Sequence, residues 1–411
     1  MNVFLPADIL LPRDVDMEKW AVIACDQFTS DAAYWQRVRR KAGDAPSTIH
    51  MILPEAELGQ ENGQAVNKIN TAMRSYLEQG LFQKFAKSYI YVERTLENGM
   101  IRKGLVGMVD LESYDYHPGS QSLTRATEQT VLERIPPRKQ VRKDAPLEFP
   151  HVLMLCDDEK MELIEPVAEA KQGMQVVYDF DLMEDGGHIT GYLLSEEEAA
   201  AFDARFTRYS ETFAEKYDGL DGAKVLLAVG DGNHSLATAK SCYEELKQNN
   251  PGVDFSSHPA RYALVELENI HDPALSFEPI HRILTGVDGR KLLADIQAVC
   301  KPGGFEVTYV MGAEKGILSL DRDLGELAVA VLQNFLDRWL RENGGKIDYI
   351  HGDKDLEDLA LQPDALGFLL PPMEKYQLFR GVISGGALPR KTFSMGHARE
   401  KRYYLEGRSI R

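Results

Sequence analysis

Val225-Leu-Leu-Ala-Val-Gly230-Asp231-Gly232-Asn233-His234-Ser235, followed by Leu-Ala-Thr-Ala-Lys-Ser-Cys-Tyr-Glu-Glu-Leu246, decides the class of this chain. The run Val225–Val229 is continuously apolar, the pattern of a strand covered on both faces. Gly-Asp-Gly then makes a tight turn, and a helix starts near Asn233 or His234. Helix N-termini present unpaired N–H groups and a partial positive charge. A glycine turn lets an anion approach those donors with no Cβ in the way, so the stretch suits a phosphate. A plain strand-to-helix turn with an asparagine cap reads equally well from the local pattern.

Working outward, strands and helices interleave. Trp20–Cys25 reads as a buried strand, with a helix near Asp31 that turns Tyr34, Trp35 and Val38 inward. Val66, Ile69, Met73, Tyr76 and Leu77 recur at helical spacing. Asn98-Gly99 between two β-rich runs marks an antiparallel hairpin near 88–112, because both residues accept positive φ. Val152–Cys156, Gln175–Phe180 and Tyr262–Leu267 read as strands, and Ser195 with Glu198 as a capping box that starts a long helix. His188 reads as part of a surface loop. The expectation is a mixed α/β body: a mixed sheet with interleaved helices and at least one hairpin. The turn at Asp221-Gly222 suggests an N-terminal part, 1–220, and a C-terminal part, 221–411, which could equally form one continuous body.

The chain has 411 residues and a formal charge of −17. Nucleic-acid binders draw much of their affinity from Lys and Arg at phosphates, so this balance argues against one. Arg125, Arg134, Arg138, Lys139, Arg142 and Lys143 form the single basic cluster. Cys25, Cys156, Cys242 and Cys300 lie in no metal-binding or redox spacing and read as buried thiols. No stretch reaches the length of a membrane helix, and the start lacks the basic region of a signal peptide, so the expected location is cytoplasmic. The expected partner is a small-molecule substrate, not nucleic acid or membrane; oligomeric state is not legible.

Two nucleotide fingerprints can be tested. The pattern GxxxxGK[ST] is absent. Gly230-x-Gly232-x-x-Ser235 misses the third glycine of the dinucleotide fingerprint, and the next strand ends near Glu266 and Glu268, well beyond the roughly 20 positions that pattern needs. Asp231 would also repel a pyrophosphate unless a metal intervened. An NAD-dependent oxidoreductase is therefore the weaker alternative.

Asp231-Gly232-Asn233-His234-Ser235 resembles the Asp-Gly-His-His-Arg box of an uncharacterised bacterial family, domain of unknown function ten-fifteen. Ala24-Cys25-Asp26, Phe277-Glu-Pro-Ile-His281-Arg282 and Leu388-Pro-Arg390-Lys391-Thr392-Phe393 match its other boxes in order, over almost the full length. The box is in turn similar to that of the ParB-like superfamily, which includes sulfiredoxin and the archaeal free-serine kinase, where it binds nucleotide phosphates.

The resemblance implies a ParB-like nucleotide-binding element and a nucleotide-dependent small-molecule phosphotransferase of the free-serine-kinase type, with ATP or ADP and Mg²⁺ as cofactors. A non-catalytic nucleotide- or amino-acid-binding protein is the alternative. Asp231 would hold the metal and orient the reactants; His234, Lys391 and Asp26 would complete the catalytic set. Gly230, Gly232, Asn233 and Ser235 would cradle phosphate, with His281, Arg282, Arg390 and Thr392 as further binding residues. Here Asn233 replaces the first His and Ser235 replaces the Arg that clamps phosphate. Another cation must serve: Lys391 or Arg390, Arg282, or the cluster around Arg138. His281, Arg282 and Lys391 are expected to converge on the turn.

Overall fold

The computed structural model describes residues 3–24, 28, 31–57, 63–117, 119–130, 132–217 and 224–411. Asp26, a candidate base, lies outside the described residues. The chain forms two compact units, Met1–Leu275 with Gly396–Arg411, and Ser276–Met395. Strand Leu227–Asp231 pairs with Leu153–Cys156 and with Thr124–Ala126; the turn expected at Asp221-Gly222 lies outside the described residues.

The first unit is built on a ten-stranded mixed sheet. Strand Ile101–Asp110 pairs antiparallel with Ile90–Thr95 on one side and Tyr262–Asn269 on the other. The first of these pairs is the expected hairpin, with Gly99 at φ +79° in its loop. Next comes Leu153–Cys156, parallel to Tyr262–Asn269. Leu227–Asp231 then runs antiparallel to Leu153–Cys156 and parallel to Thr124–Ala126. The far edge is a second hairpin, Gln175–Asp181 with His188–Leu193. His188 thus opens a strand rather than sitting in a loop. Its sequence offered no alternation beyond Ile189 and Tyr192, so the pairing had to come from the neighbouring strand Ile90–Thr95.

One core packs Trp20, Tyr34, Trp35, Val38, Ile69 and Met73 against the sheet face carrying Ile90, Val92 and Val106. The apolar stretch after Trp20 is shorter as a strand than expected, Val22–Ile23, because helix Met17–Trp20 takes its start. The C-terminal segment closes this unit. Tyr403–Tyr404 pairs with Val22–Ile23, and Arg408–Ser409 with Leu147–Glu148.

The second unit carries a six-stranded antiparallel sheet around Phe277–Thr285, flanked by Lys346–His351, Ala365–Leu369 and Phe393–Met395. Ile283, Val310, Leu356, Ala360 and Ala365 form a small core there.

Candidate functional site

Strand Leu227–Asp231 ends because Gly232 takes φ +83°, a left-handed conformation that glycine adopts without penalty. Gly232, not Asn233, is the N-cap of helix Asn233–Asn249, and its carbonyl accepts the first helical bond from Leu236 N–H at 3.0 Å. The N–H groups of Asn233, His234 and Ser235 precede that bond, so they have no partner within the helix. A Cβ on Gly232 would lie 3.1 Å from Val152 Cα and 3.5 Å from His151 Nε2. The turn is therefore pressed against the start of strand Leu153–Cys156. The expected strand, glycine turn and helix are all present.

A cavity of about 150 Å³ opens beside this turn. Ser235 and Thr238 line it from the helix, His151 and Tyr404 from below. Helix Ile135–Lys143 supplies Arg138, Val141 and Arg142, and Met51, Ile52, Leu53, Met73 and Phe149 complete an apolar side. His151 Nδ1 and the Tyr404 hydroxyl are 3.0 Å apart, with the rings edge to face. The cavity meets the helix at Ser235 and Thr238, one step along from Asp231.

Arg138, Arg142 and Glu148 bring charge to this wall. Arg142 pairs with Glu148 at 2.5 Å, and Glu148 also accepts from Arg408 Nε at 3.0 Å and Leu264 N–H at 2.9 Å. Burial pushes the Glu148 carboxyl upward, but Arg142, Arg408 and the Leu264 N–H outweigh it and hold its pKa low. One carboxylate thus faces two arginines, and half-buried Arg138 adds a third cation to the group. Arg138 and Arg142 of the basic cluster thus line the same cavity as Ser235.

Asp231 turns one oxygen to its neighbour's N–H, Gly232 N–Oδ1 at 2.9 Å. Its Oδ2 lies 3.4 Å from Lys401 Nζ, within reach of charge attraction but not aligned as a hydrogen bond. Asn233 Oδ1 is likewise buried without a hydrogen bond among the described residues. Two acceptors without hydrogen bonds, two residues apart on one turn, suit a hard cation or a donor group of a ligand. Among the described residues no cluster of three or more His, Cys, Asp or Glu side chains is placed to hold a metal. A magnesium ion here would take Asp231 and phosphate oxygens. His234 is half-buried, and its carbonyl accepts from Thr238 Oγ1 at 2.7 Å. Gly230 lies inside the strand at an irregularity of its pairing, where the register passes from Val229 opposite Met154 to Asp231 opposite Leu153.

His281, Arg282, Arg390, Lys391 and Thr392 all belong to the second unit. Arg282 is fully buried and donates to Gln333 Oε1 and to the carbonyls of Ile280, Lys391 and Arg390. It pins the 389–392 loop in place. Arg390 meets Tyr349 Oη at 2.5 Å and Asp337 at 3.1 Å, and Thr392 Oγ1 donates to Pro389 O at 2.6 Å. Lys391 sits at φ +55°. His281 Nδ1 accepts from Leu370 N–H at 3.1 Å, so the ring donates from Nε2 to Asp353 at 2.8 Å. Burial lowers the His281 pKa and Arg282 adds to this, while Asp353 opposes it. The residues of the two later boxes thus gather within one unit, engaged with its own groups.

Sequence reasoning missed Lys401, His151 and Tyr404. His151 precedes strand Leu153–Cys156, which pairs with Leu227–Asp231, and Lys401 and Tyr404 lie at or beside strand Tyr403–Tyr404, which pairs with Val22–Ile23; no local pattern encodes such pairings. A faint signal existed in Lys401-Arg402-Tyr403-Tyr404, where two cations and two aromatics adjoin near the chain end.

The fold and site define a mixed α/β protein with an anion-suited turn. A family model described as "Protein of unknown function (DUF1015)" matches residues 9–404, and the chain belongs to that family. No curated protein matches it. Among solved structures, it is similar to SbnI with a C-terminal truncation from Staphylococcus aureus: 11% identity, 71% of this chain and 82% of that one, TM-score 0.37. It is also similar to a mutant free serine kinase in complex with AMP: 10% identity, 72% and 90% coverage, TM-score 0.39. A conserved hypothetical protein from Pyrococcus furiosus shows 10% identity, 72% and 92% coverage, and TM-score 0.37. Likenesses this distant transfer no residue role. Among the described residues no helix is long and apolar enough to cross a membrane.

Proposed function

We propose that the first unit binds a phosphorylated small molecule of the nucleotide class at this cavity, and that the protein is a cytoplasmic nucleotide-dependent phosphotransferase acting on a small hydroxylated metabolite. The observation that supports the reading is that Arg138 and Arg142 line the same cavity as Ser235, in the first turn of helix Asn233–Asn249. A cavity of about 150 Å³ holds one aromatic ring. The apolar side takes that ring, and the phosphates lie toward Ser235 and the helix N–H groups, where the dipole favours negative charge.

Lys401 and Asp231 would sit at the phosphate end. Phosphoryl transfer depends mainly on positioning and on neutralising spread negative charge. Lys401 would supply part of that neutralisation, and Asp231 would hold Mg²⁺ or orient the acceptor hydroxyl. His151, hydrogen-bonded to Tyr404 on the cavity wall, would be a further candidate proton acceptor. His234 and Lys391 stay as candidate contributors, by resemblance alone.

The test is thermal stabilisation by AMP, ADP, ATP, NAD, L-serine and inorganic phosphate, each with and without Mg²⁺. A ligand at a hundred times its Kd adds about 2.7 kcal/mol. The expected result is stabilisation by an adenine nucleotide that Arg138→Ala removes. No shift with any phosphorylated compound would overturn the reading. Stabilisation without phosphate transfer to any hydroxylated metabolite would leave a binding protein, and stabilisation by NAD alone would favour the oxidoreductase.

A further inference from the structure

The second unit has a cavity of its own, about 300 Å³, that belongs to no part of the site above. Arg322 and Arg380 line it from two separate elements, with Phe305, Tyr376, Gln377 and Glu326 around them. Arg322 lies over the Phe305 ring at 4.2 Å, which holds the guanidinium plane in one orientation. Its contacts to the carbonyls of Gly303 and Gly304 are long, 3.3 and 3.5 Å. The adjacent carboxylates do not neutralise it, because Asp321 and Asp323 both turn to Lys301. Arg380 is exposed and makes no ion pair or hydrogen bond among the described residues.

Two further features favour an acceptor here. Helix Ala328–Asn343 starts after Leu327 with no side-chain cap, and its first helical bonds run from Ala330 and Val331 to Leu327 O. The N–H groups of Ala328 and Val329 are left outside the helical ladder. The Tyr376 ring, 64% exposed on the first turn of helix Lys375–Gly385, offers a flat apolar face that nothing covers. The Gln377 carbonyl is used by Glu374 N–H, so its amide donors are what face outward. Glu326 is the one carboxylate on the lining, and it offsets one of the two cations.

We propose that this cavity binds a singly charged carboxylate carried on a planar, aromatic group. Arg322 and Arg380 grip the carboxylate, and the Tyr376 face takes the ring. The net charge of the lining, two arginines against Glu326, matches a monoanion better than a phosphate dianion. The volume is at the lower end for small-molecule sites, which suits one ring and its acid group. Such chemistry has two sources, a free aryl carboxylic acid or a peptide ending in an aromatic residue with its free carboxylate.

Ligand-observed NMR titration of the full chain tests this, with benzoate as one probe and a short peptide ending in free phenylalanine as the other. Benzamide and the amidated peptide are the controls. The expected result is saturable binding by at least one probe with a Kd of about 1 mM or tighter, and none by the neutral controls. Arg380→Gln should weaken it about tenfold or more, since charge-assisted paired bonds are lost. Arg322→Gln should do the same, and Arg138→Ala in the first unit should leave it unchanged. Whichever probe binds tighter names the source. The proposal is overturned if neither probe saturates by about 10 mM, if the neutral controls bind equally, or if binding survives both arginine substitutions.

Discussion

Gly232 carries a backbone that almost no other residue tolerates, at φ +83° with Val152 Cα where a Cβ would need room. Gly232→Ala should therefore lower unfolding stability by about 1–3 kcal/mol, from left-handed strain and the forced shift of Val152. Urea denaturation measures it, and a variant as stable as the parent would show that the turn relaxes cheaply. Arg138 makes the opposite case. It is half-buried on the cavity wall, where its charge adds to that of Arg142. Arg138→Ala should change stability by no more than about 0.5–1 kcal/mol, yet cost about tenfold or more in affinity for a phosphorylated ligand. Isothermal titration alongside a melting curve separates the two effects; equal loss of both would make Arg138 a structural residue.

Strand Tyr262–Asn269 carries Glu266 and Glu268 into the interior, where they meet Arg102 and Arg402. Glu268 is fully buried against Arg102, with Glu266 and Asp272 adding negative charge nearby and Arg402 adding positive. Burial raises its pKa to about 8, with Glu266 and Asp272 adding to the shift and Arg102 opposing it. An unfolded glutamate titrates near pH 4.3. Between about pH 4.3 and about pH 8 the native state holds a proton that the unfolded chain has released, so stability falls as pH rises through that window. Glu268→Gln, which mimics the protonated form, should flatten the slope of Tm against pH and raise Tm at neutral pH. A lower Tm with the slope unchanged would mean that Glu268 is ionised against Arg102. These elements also show what sequence could convey. The strand, glycine turn and helix of 225–249 were legible because apolar runs, glycine and helical spacing are local signals. The strand Tyr262–Asn269 was legible too, but not its partners. Glu266 reads as a surface charge until Arg402, far along the chain, is brought against it at 2.6 Å. The same holds for the cavity: Ser235 and the basic cluster were each visible, and only folding puts them on one wall.

At the scale of the whole chain, residues 276–395 interrupt a unit that residues 396–411 complete. Such an insertion needs its two ends side by side, and Phe277 pairs with Met395 across an antiparallel ladder. The returning segment is a structural part of the first unit. Trp20 Nε1 donates to Leu405 O at 3.0 Å, Gly407 bridges Leu10, and Arg402 and Arg408 neutralise Glu266 and Glu148. A chain ending at Met395 would leave Glu266 without Arg402, and Glu148 with Arg142 alone. Removing one partner of a buried pair costs about 3–5 kcal/mol. Two such losses, with two strand pairings gone as well, approach the whole stability of a typical domain, about 5–15 kcal/mol. The truncated protein should therefore lose the first unit's cooperative melt and keep the second's, because Ser276–Met395 retains its own sheet and core. Calorimetry with limited proteolysis checks this: the surviving fragment should map to about the span of the second unit, and it should still bind whichever aromatic carboxylate probe the intact chain binds while no longer responding to nucleotide. A truncated chain that melts like the intact one would refute the structural role given to the last sixteen residues, Gly396–Arg411.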